Sequence, residues 1–93
     1  MKVRLSARAR ADLADIYEFI ARDSPYYARR TVADLFKTAE ELAKFPQSGR
    51  VIPKYGDPKL REKVHRSYRI AYSISDDGID IITFHHVARM EGD

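Results

Sequence analysis

Basic and imidazole side chains that could act on a phosphodiester are concentrated in the second half of this 93-residue chain. The segment REKVHRSYR, residues 61–69, contains four arginine or lysine residues and one histidine, and His85 and His86 follow later. An arginine can bind a phosphate with two parallel hydrogen bonds and stabilise negative charge that develops in a transition state. A histidine can exchange a proton near neutral pH. These residue types indicate binding or cleavage of a phosphodiester.

A β-hairpin is predicted to bring one arginine and one histidine together. Residues 68–75 alternate between apolar and polar side chains, so Arg69 lies on the face opposite the helix-facing residues. Asp77-Gly78 is typical of a two-residue type I′ turn, which places Arg69 opposite His86. A three-residue loop places Arg69 opposite His85 instead. In either register Arg69 and one histidine share a face, with Cβ atoms about 5 Å apart.

Other residues have predicted roles around this pair. Arg61, Lys63 and Arg66 are expected to lie near Arg69 and to hold flanking phosphates. Glu62 is a candidate second proton-transfer group, although the sequence alone does not place it. For His85 and His86, ordinary structural hydrogen bonding is the alternative to a catalytic role. No metal or other cofactor is expected, because adjacent strand histidines point apart and the chain contains no cysteine.

The elements that must position these residues follow the order β-α-α-β-β-β. Strands are predicted at residues 2–5, 60–66, 68–75 and 79–87, with a marginal strand at 50–52. A helix at about 7–22 begins after Ser6, and a second begins at Pro25 and ends at FPQSG, residues 45–49. The pattern predicts one α+β domain over residues 1–93. An N-terminal strand and an antiparallel helix hairpin are expected, with the helices on one face of a mainly antiparallel sheet of three to four strands.

The charge distribution points to an acidic partner. Residues 50–72 contain seven basic and two acidic side chains, whereas residues 73–93 contain one basic and five acidic side chains. A concentrated positive field suits a polyanion or an acidic protein segment. A charged strand edge that prevents edge-to-edge pairing is the alternative. The sequence has no signal-peptide pattern and no run of transmembrane length, so a cytoplasmic protein without a membrane partner is expected.

An ordered set of motifs resembles the RelE/ParE superfamily of bacterial toxin–antitoxin toxins. The motifs are FPQSGR, then LREKV, then YRIAYSI, and finally DGIDIITFHHVAR. The likeness spans Phe45 to Arg89, and the preceding strand and helix hairpin fit it too. The resemblance implies a small toxin whose open sheet face is neutralised by a cognate antitoxin. It is also compatible with a homodimer or a toxin–antitoxin heterotetramer.

The resemblance implies two possible targets. RelE-like members cut mRNA in the ribosome, whereas ParE-like members poison DNA gyrase. Arg69 matches an arginine common to both branches, the HVAR ending at residues 86–89 is similar to the ParE branch, and no tyrosine follows Tyr72. Gyrase inhibition is therefore the favoured expectation, with ribosome-dependent mRNA cleavage as the alternative and a non-toxic binding domain as a third possibility.

The two branches imply different roles for the site residues. Cleavage would use Arg69 with His85 or His86 as catalytic groups. In either branch, the residues expected to contact the target or the antitoxin are Arg61, Lys63, Arg66, Arg69 and Arg89.

Overall fold

The computed structural model describes residues 1–88, and its elements follow the predicted order. They are β1 (Lys2–Leu5), α1 (Ala7–Ala21), α2 (Pro25–Lys44), β2 (Arg50–Val51), β3 (Leu60–His65), β4 (Tyr68–Ile74) and β5 (Gly78–His86), with a 3₁₀ turn at Pro46–Ser48. Residues of α1 and α2 form one core cluster with residues of β4 and β5. The predicted α+β class, with two helices packed on a sheet, is confirmed.

The described residues form one five-stranded sheet in the order β1-β5-β4-β3-β2. This sheet has one strand more than the three to four predicted, because β2 and β1 both join it. β1 pairs in parallel with β5, whereas the other neighbours are antiparallel. Gly78 lies opposite Lys2 in the parallel pair, where a Cβ atom would overlap the Lys2 carbonyl. Glycine is therefore required at this close approach of the two strands.

Local signals in the sequence fix the starts of both helices. The Ser6 hydroxyl accepts a hydrogen bond from the backbone N–H of Ala9 at 2.9 Å, and Ser24 caps α2 through the N–H of Tyr27 at 3.2 Å. Pro25 occupies the first turn of α2, where its missing N–H has no cost. Across residues 1–88, neither helix has the length and apolar character needed to cross a membrane.

The core lies between the helices and one face of the sheet. Ile70 and Tyr72 of β4 are fully buried there, which confirms the predicted inward face of this strand. Burying each such side chain contributes about 1.5–3 kcal/mol. Tyr17 of α1 and Phe36 of α2 lie outside this core and are 37% and 43% exposed.

Tyr72 also fastens the loop before β2 to the centre of the sheet. Its hydroxyl donates a hydrogen bond to the Pro46 carbonyl at 2.6 Å and accepts one from the Gly49 N–H at 3.0 Å. Burial raises the pKa of Tyr72, so the hydroxyl keeps the proton that it donates. A Cβ atom at position 49 would lie 2.5 Å from this hydroxyl oxygen. The FPQSG segment therefore has a structural role in this protein.

Replacing Tyr72 by phenylalanine is expected to lower the free energy of unfolding by about 1–3 kcal/mol. The ring stays in the core, but the buried Gly49 N–H and the Pro46 carbonyl lose their partner. Urea unfolding followed by circular dichroism measures the change. Tyr55→Phe is the matched control, since Tyr55 is 61% exposed. Equal unfolding midpoints for the two variants would contradict this role.

A cluster of charges connects β1 to the turn between β4 and β5. The Nε atom of Arg4 donates to Asp80 at 2.6 Å, and its terminal nitrogens contact Asp77 at 3.2 Å and Ser75 at 2.9 Å. Hydrogen bonds from Arg4 hold the pKa values of Asp77 and Asp80 below the usual 3.8. The cluster thus stabilises the parallel edge of the sheet only while both carboxyl groups are ionised.

The contribution of this cluster is expected to disappear in acid. Because the folded pKa values of Asp77 and Asp80 are depressed, the stabilisation is complete above pH 3.8 and is lost as pH falls through the lower folded values. The urea midpoints of the native protein and Arg4→Gln should therefore differ at about pH 7 and converge near about pH 2. A difference that persists in acid would assign the effect of Arg4 to packing.

Candidate functional site

The hairpin between β4 and β5 turns one residue earlier than predicted. The Ser75 N–H donates to the Gly78 carbonyl at 2.8 Å, and Ile74 lies opposite Ile79. The two residues at the turn are therefore Asp76 and Asp77, and the predicted Asp77-Gly78 turn is wrong. Gly78 is needed instead for its contact with β1.

A β-bulge then sets which histidine lies beside Arg69. Tyr72 pairs with Ile81 and Ala71 pairs with Thr83, so Ile82 is an extra residue in β5. Beyond the bulge, Arg69 lies opposite His85. The predicted sharing of one face by Arg69 and a histidine is confirmed, and that histidine is His85. The pairing of Arg69 with His85 is the one predicted for a three-residue loop, but in the structure it results from the bulge.

The face of the sheet that carries Glu62, Arg69, Ala71, Thr83 and His85 points away from the core, and we call it the open face. Cross-strand pairing aligns Glu62 with Ala71 and Ala71 with Thr83. The small side chain of Ala71 leaves room for its larger neighbours to approach one another. Arg69 is a basic group of this face, and its side chain is 30% exposed.

Two arginines converge on the carboxylate of Glu62. The Arg50 Nε donates to Glu62 Oε1 at 2.7 Å, whereas the Arg69 Nε lies 3.7 Å from Oε2. The longer distance allows an ion pair without a hydrogen bond, and within residues 1–88 this buried Arg69 nitrogen has no hydrogen-bond partner. Glu62 itself is 7% exposed. The open face therefore has a buried carboxylate with two guanidinium groups around it.

His85 lies at the end of a hydrogen-bonded series that begins on α1. Thr83 donates its hydroxyl proton to Asp12 at 2.6 Å, and the Thr83 oxygen lies 3.1 Å from His85 Nε2. Since the Thr83 proton is directed at Asp12, the hydroxyl can only accept from His85, which places a proton on Nε2. Asp12 also accepts the N–H of Phe84 at 3.0 Å. This series fixes the orientation of the His85 ring.

The other two histidines lie elsewhere. His86 is on the helix-facing side, where its ring meets the ring of Tyr68 edge to face at 5.2 Å. It therefore does not share the face of Arg69, and the structure does not support it as a partner of that residue. His65 contacts Asp34 of α2 through Nε2 at 2.7 Å.

The predicted cluster of flanking basic residues around Arg69 is wrong. Arg61 pairs with Tyr72 and Lys63 with Ile70, so both point to the helix-facing side. The Arg61 guanidinium donates to the carbonyls of Pro58 and Gly49 at 2.8 and 3.0 Å. Arg66 is in the β3–β4 turn, 3.3 Å from Asp34.

Successive residues of a strand alternate between the two faces of the sheet, and cross-strand partners share a face. Arg69 pairs with Val64, so it lies on the face opposite to residues 61 and 63. The predicted contact residue Arg89 lies outside the described residues.

The open face can bind an anion more readily than it can transfer protons. Arg50 has an exposed side chain, and Arg69 has guanidinium nitrogens beyond the one that faces Glu62. The carboxylate of Glu62 is already engaged by a hydrogen bond from Arg50 and an ion pair with Arg69. Within residues 1–88 no group of three potential ligands could hold a metal ion.

Asp12 and Arg50 belong to this site and were not predicted. Asp12 also pairs with Arg8, one helical turn away in α1, at 3.2 Å. Its contacts with Thr83 and Phe84 join positions 71 and 72 residues apart, which no local pattern signals. Arg50 was part of a quoted motif, FPQSGR, and only the pairing of β2 with β3 reveals its contact with Glu62.

The chain is similar in sequence to known toxins of bacterial toxin–antitoxin systems. The family model described as the ParE toxin of the type II toxin–antitoxin system parDE matches residues 3–91. Toxin RelE2 of Caulobacter vibrioides is 36% identical over 84 residues, which cover 89% of this chain and 91% of that protein.

A solved structure shares the fold. It is described as the chromosomal ParDE TA system from P. aeruginosa, and its matched chain superposes with a TM-score of 0.76 at 22% identity. The match covers 94% of this chain and 96% of that chain. At this identity the similarity concerns the fold alone.

Glu62→Gln is expected to lower the free energy of unfolding by about 1–3 kcal/mol, because the Arg50 and Arg69 guanidinium groups lose their shared anion. Their exposure to water limits the effect. Urea unfolding of the purified variant measures it. Glu18→Gln on the exposed side of α1 is the matched control, with an expected change below about 0.5 kcal/mol. A stability equal to that of the control would show that the pairing is dispensable.

Proposed function

Because this chain belongs to the ParE toxin family of type II toxin–antitoxin systems, we propose that it arrests growth by inhibiting DNA gyrase. A toxin of such a system has a cognate antitoxin as its partner. The family match covers nearly the whole chain and favours the ParE branch. Gyrase is a cytoplasmic enzyme, so this proposal also places the toxin in the cytoplasm.

One observation carries the choice of a binding function over a catalytic one. On the open face, the groups that would transfer protons already have internal partners within residues 1–88. Glu62 is paired with two arginines, and the Nε2 atom of His85 is directed at Thr83. Gyrase inhibition requires recognition of a protein surface, which the guanidinium groups of Arg50 and Arg69 can supply without any proton transfer.

Ribosome-dependent mRNA cleavage is the second candidate, and a specific observation favours it. Arg69 and His85 share the open face as cross-strand neighbours, and the Asp12–Thr83 pair orients the histidine ring. Such an oriented imidazole beside a guanidinium suits attack on a phosphodiester. This candidate requires a second proton-transfer group, and Glu62, which lies on the same face, is already engaged by Arg50 and Arg69.

Purified protein is expected to block supercoiling by DNA gyrase or to accumulate gyrase-cleaved DNA, because its open face is proposed to bind the enzyme. Plasmid supercoiling, resolved on agarose gels, measures the effect. Arg69→Ala should weaken it, whereas Lys54→Ala, in the exposed loop before β3, should not. Expression of the chain alone should arrest growth, and co-expression of the antitoxin should restore it.

Gyrase supercoiling and DNA cleavage that are unchanged by the protein would contradict the proposal. If mRNA is then cut only when ribosomes are present, cleavage replaces gyrase inhibition as the function. In that case Arg69→Ala should lower turnover by about 10²–10³-fold, as deletion of one transition-state donor does. Normal growth despite soluble, folded protein would contradict toxicity by either route.

A further inference from the structure

A cavity lies on the helix-facing side of the sheet, away from the open face. It has a volume of about 400 Å³ and lies between the N-terminal half of α2 and the β3–β4 turn. We call it the α2–turn pocket. Residues that line it include Tyr27, Arg30, Asp34, Leu35, Arg66 and Tyr68.

The α2–turn pocket combines a positively charged rim with an apolar floor. Arg30 and Arg66 approach from two different elements, and the Arg66 side chain is 77% exposed. Leu35 is buried beneath them. Asp34 is the acidic residue among those that line the pocket, and a hydrogen bond from His65, together with the nearby Arg66, holds its pKa below the usual range. Two arginines and one aspartate line the pocket, so its net charge is positive and favours an anion.

The backbone at Arg66 indicates that its side chain is needed. His65 pairs with Tyr68, so Arg66 and Ser67 form a two-residue hairpin turn, and Arg66 has φ = 55°. A positive φ at the first turn position favours glycine, and an L residue there costs about 1–2 kcal/mol. Glycine would make a better turn. The presence of arginine at a strained position is the kind of outlier that accompanies function.

We propose that the α2–turn pocket binds an acidic segment of the cognate antitoxin, with a carboxylate at Arg30 and Arg66 and an adjacent apolar side chain against Tyr68, above the buried Leu35. This inference rests on the proposed toxin–antitoxin function and names the contact that neutralises the toxin. Lys63 lies on the same side of the sheet, two residues before His65 in β3, and extends the positive surface beyond the pocket. The partner is therefore recognised on the side opposite to Arg69.

An antitoxin peptide fits this pocket better than a nucleic acid. The cavity has room for one or two side chains, and its floor is apolar, which suits an acidic residue next to an aliphatic one. A nucleic-acid backbone would need a row of basic groups spaced along a groove. Here the basic residue next to Lys63, Arg61, has its guanidinium bound to backbone carbonyls.

The variant Arg66→Gly tests the proposal without weakening the fold, because glycine relieves the strained turn. Its thermal midpoint is expected to equal or exceed that of the native protein. Its affinity for the full-length cognate antitoxin, measured by calorimetry or surface plasmon resonance, should fall by about 10–100-fold, the range of one charge-assisted hydrogen bond. Raising the salt concentration should slow association less for this variant than for the native protein.

Lys59→Gln is the matched control, since it removes one positive charge from an exposed loop outside the pocket. Antitoxin affinity of Arg66→Gly within twofold of this control would overturn the proposal. So would a variant that binds antitoxin normally but loses affinity for a double-stranded DNA fragment. Arg30→Gln should reproduce the loss of antitoxin affinity, and a normal affinity for that variant would remove Arg30 from the site.

Growth experiments distinguish a role of Arg66 in antitoxin binding from a role in binding the proposed target. Expressed alone, Arg66→Gly should still arrest growth, while co-expressed antitoxin should no longer restore it. Loss of growth arrest with unchanged antitoxin binding would assign Arg66 to the target and would overturn the proposal. Antitoxin binding is measured without gyrase, so a negative gyrase assay would contradict the proposed target and leave the binding result interpretable.

Discussion

The hydroxyl of Tyr72 is the contact on which the geometry of the open face depends. It holds the Pro46 carbonyl and the Gly49 N–H, and so fixes the loop from which β2 begins. β2 then brings Arg50 to the carboxylate of Glu62, and Glu62 in turn attracts Arg69. A buried phenol in the core therefore helps to place Arg50 beside Glu62, whereas the pairing of β4 with its two neighbours sets the position of Arg69.

Strand alternation divides the basic segment between two surfaces. Arg69 shares a face with Ala71 and Glu62, while Lys63 and Arg61 share the other with Ile70 and Tyr72. One short run of sequence therefore supplies an arginine to each proposed contact site, Arg69 to the open face and Arg66 to the α2–turn pocket. Under the two proposals, recognition of the target and of the antitoxin would use opposite sides of the sheet.

The sequence predicts features that depend on neighbouring residues. Ser6, Ser24 and Pro25 mark the helix starts because caps act within one turn, and the inward face of β4 follows from its alternation. The bulge at Ile82 and the position of the turn were not predictable, because they result from pairing with β4 and from the close contact of Gly78 with β1. Asp12 was missed for the same reason, since its partners are on β5.

The parallel pairing of β1 with β5 has a consequence for biosynthesis. Lys2 to Leu5 find their partners only at Gly78 to Ile81, so the contact closes over nearly the whole chain. Contacts of such high sequence separation form late, because the entropy of closing the intervening loop must first be overcome. A nascent chain on the ribosome has no strand partner for β1 until β5 emerges, although Val3 and Leu5 also pack against the core. The sheet is thus completed only after β5 has been translated, so the complete fold forms late in synthesis.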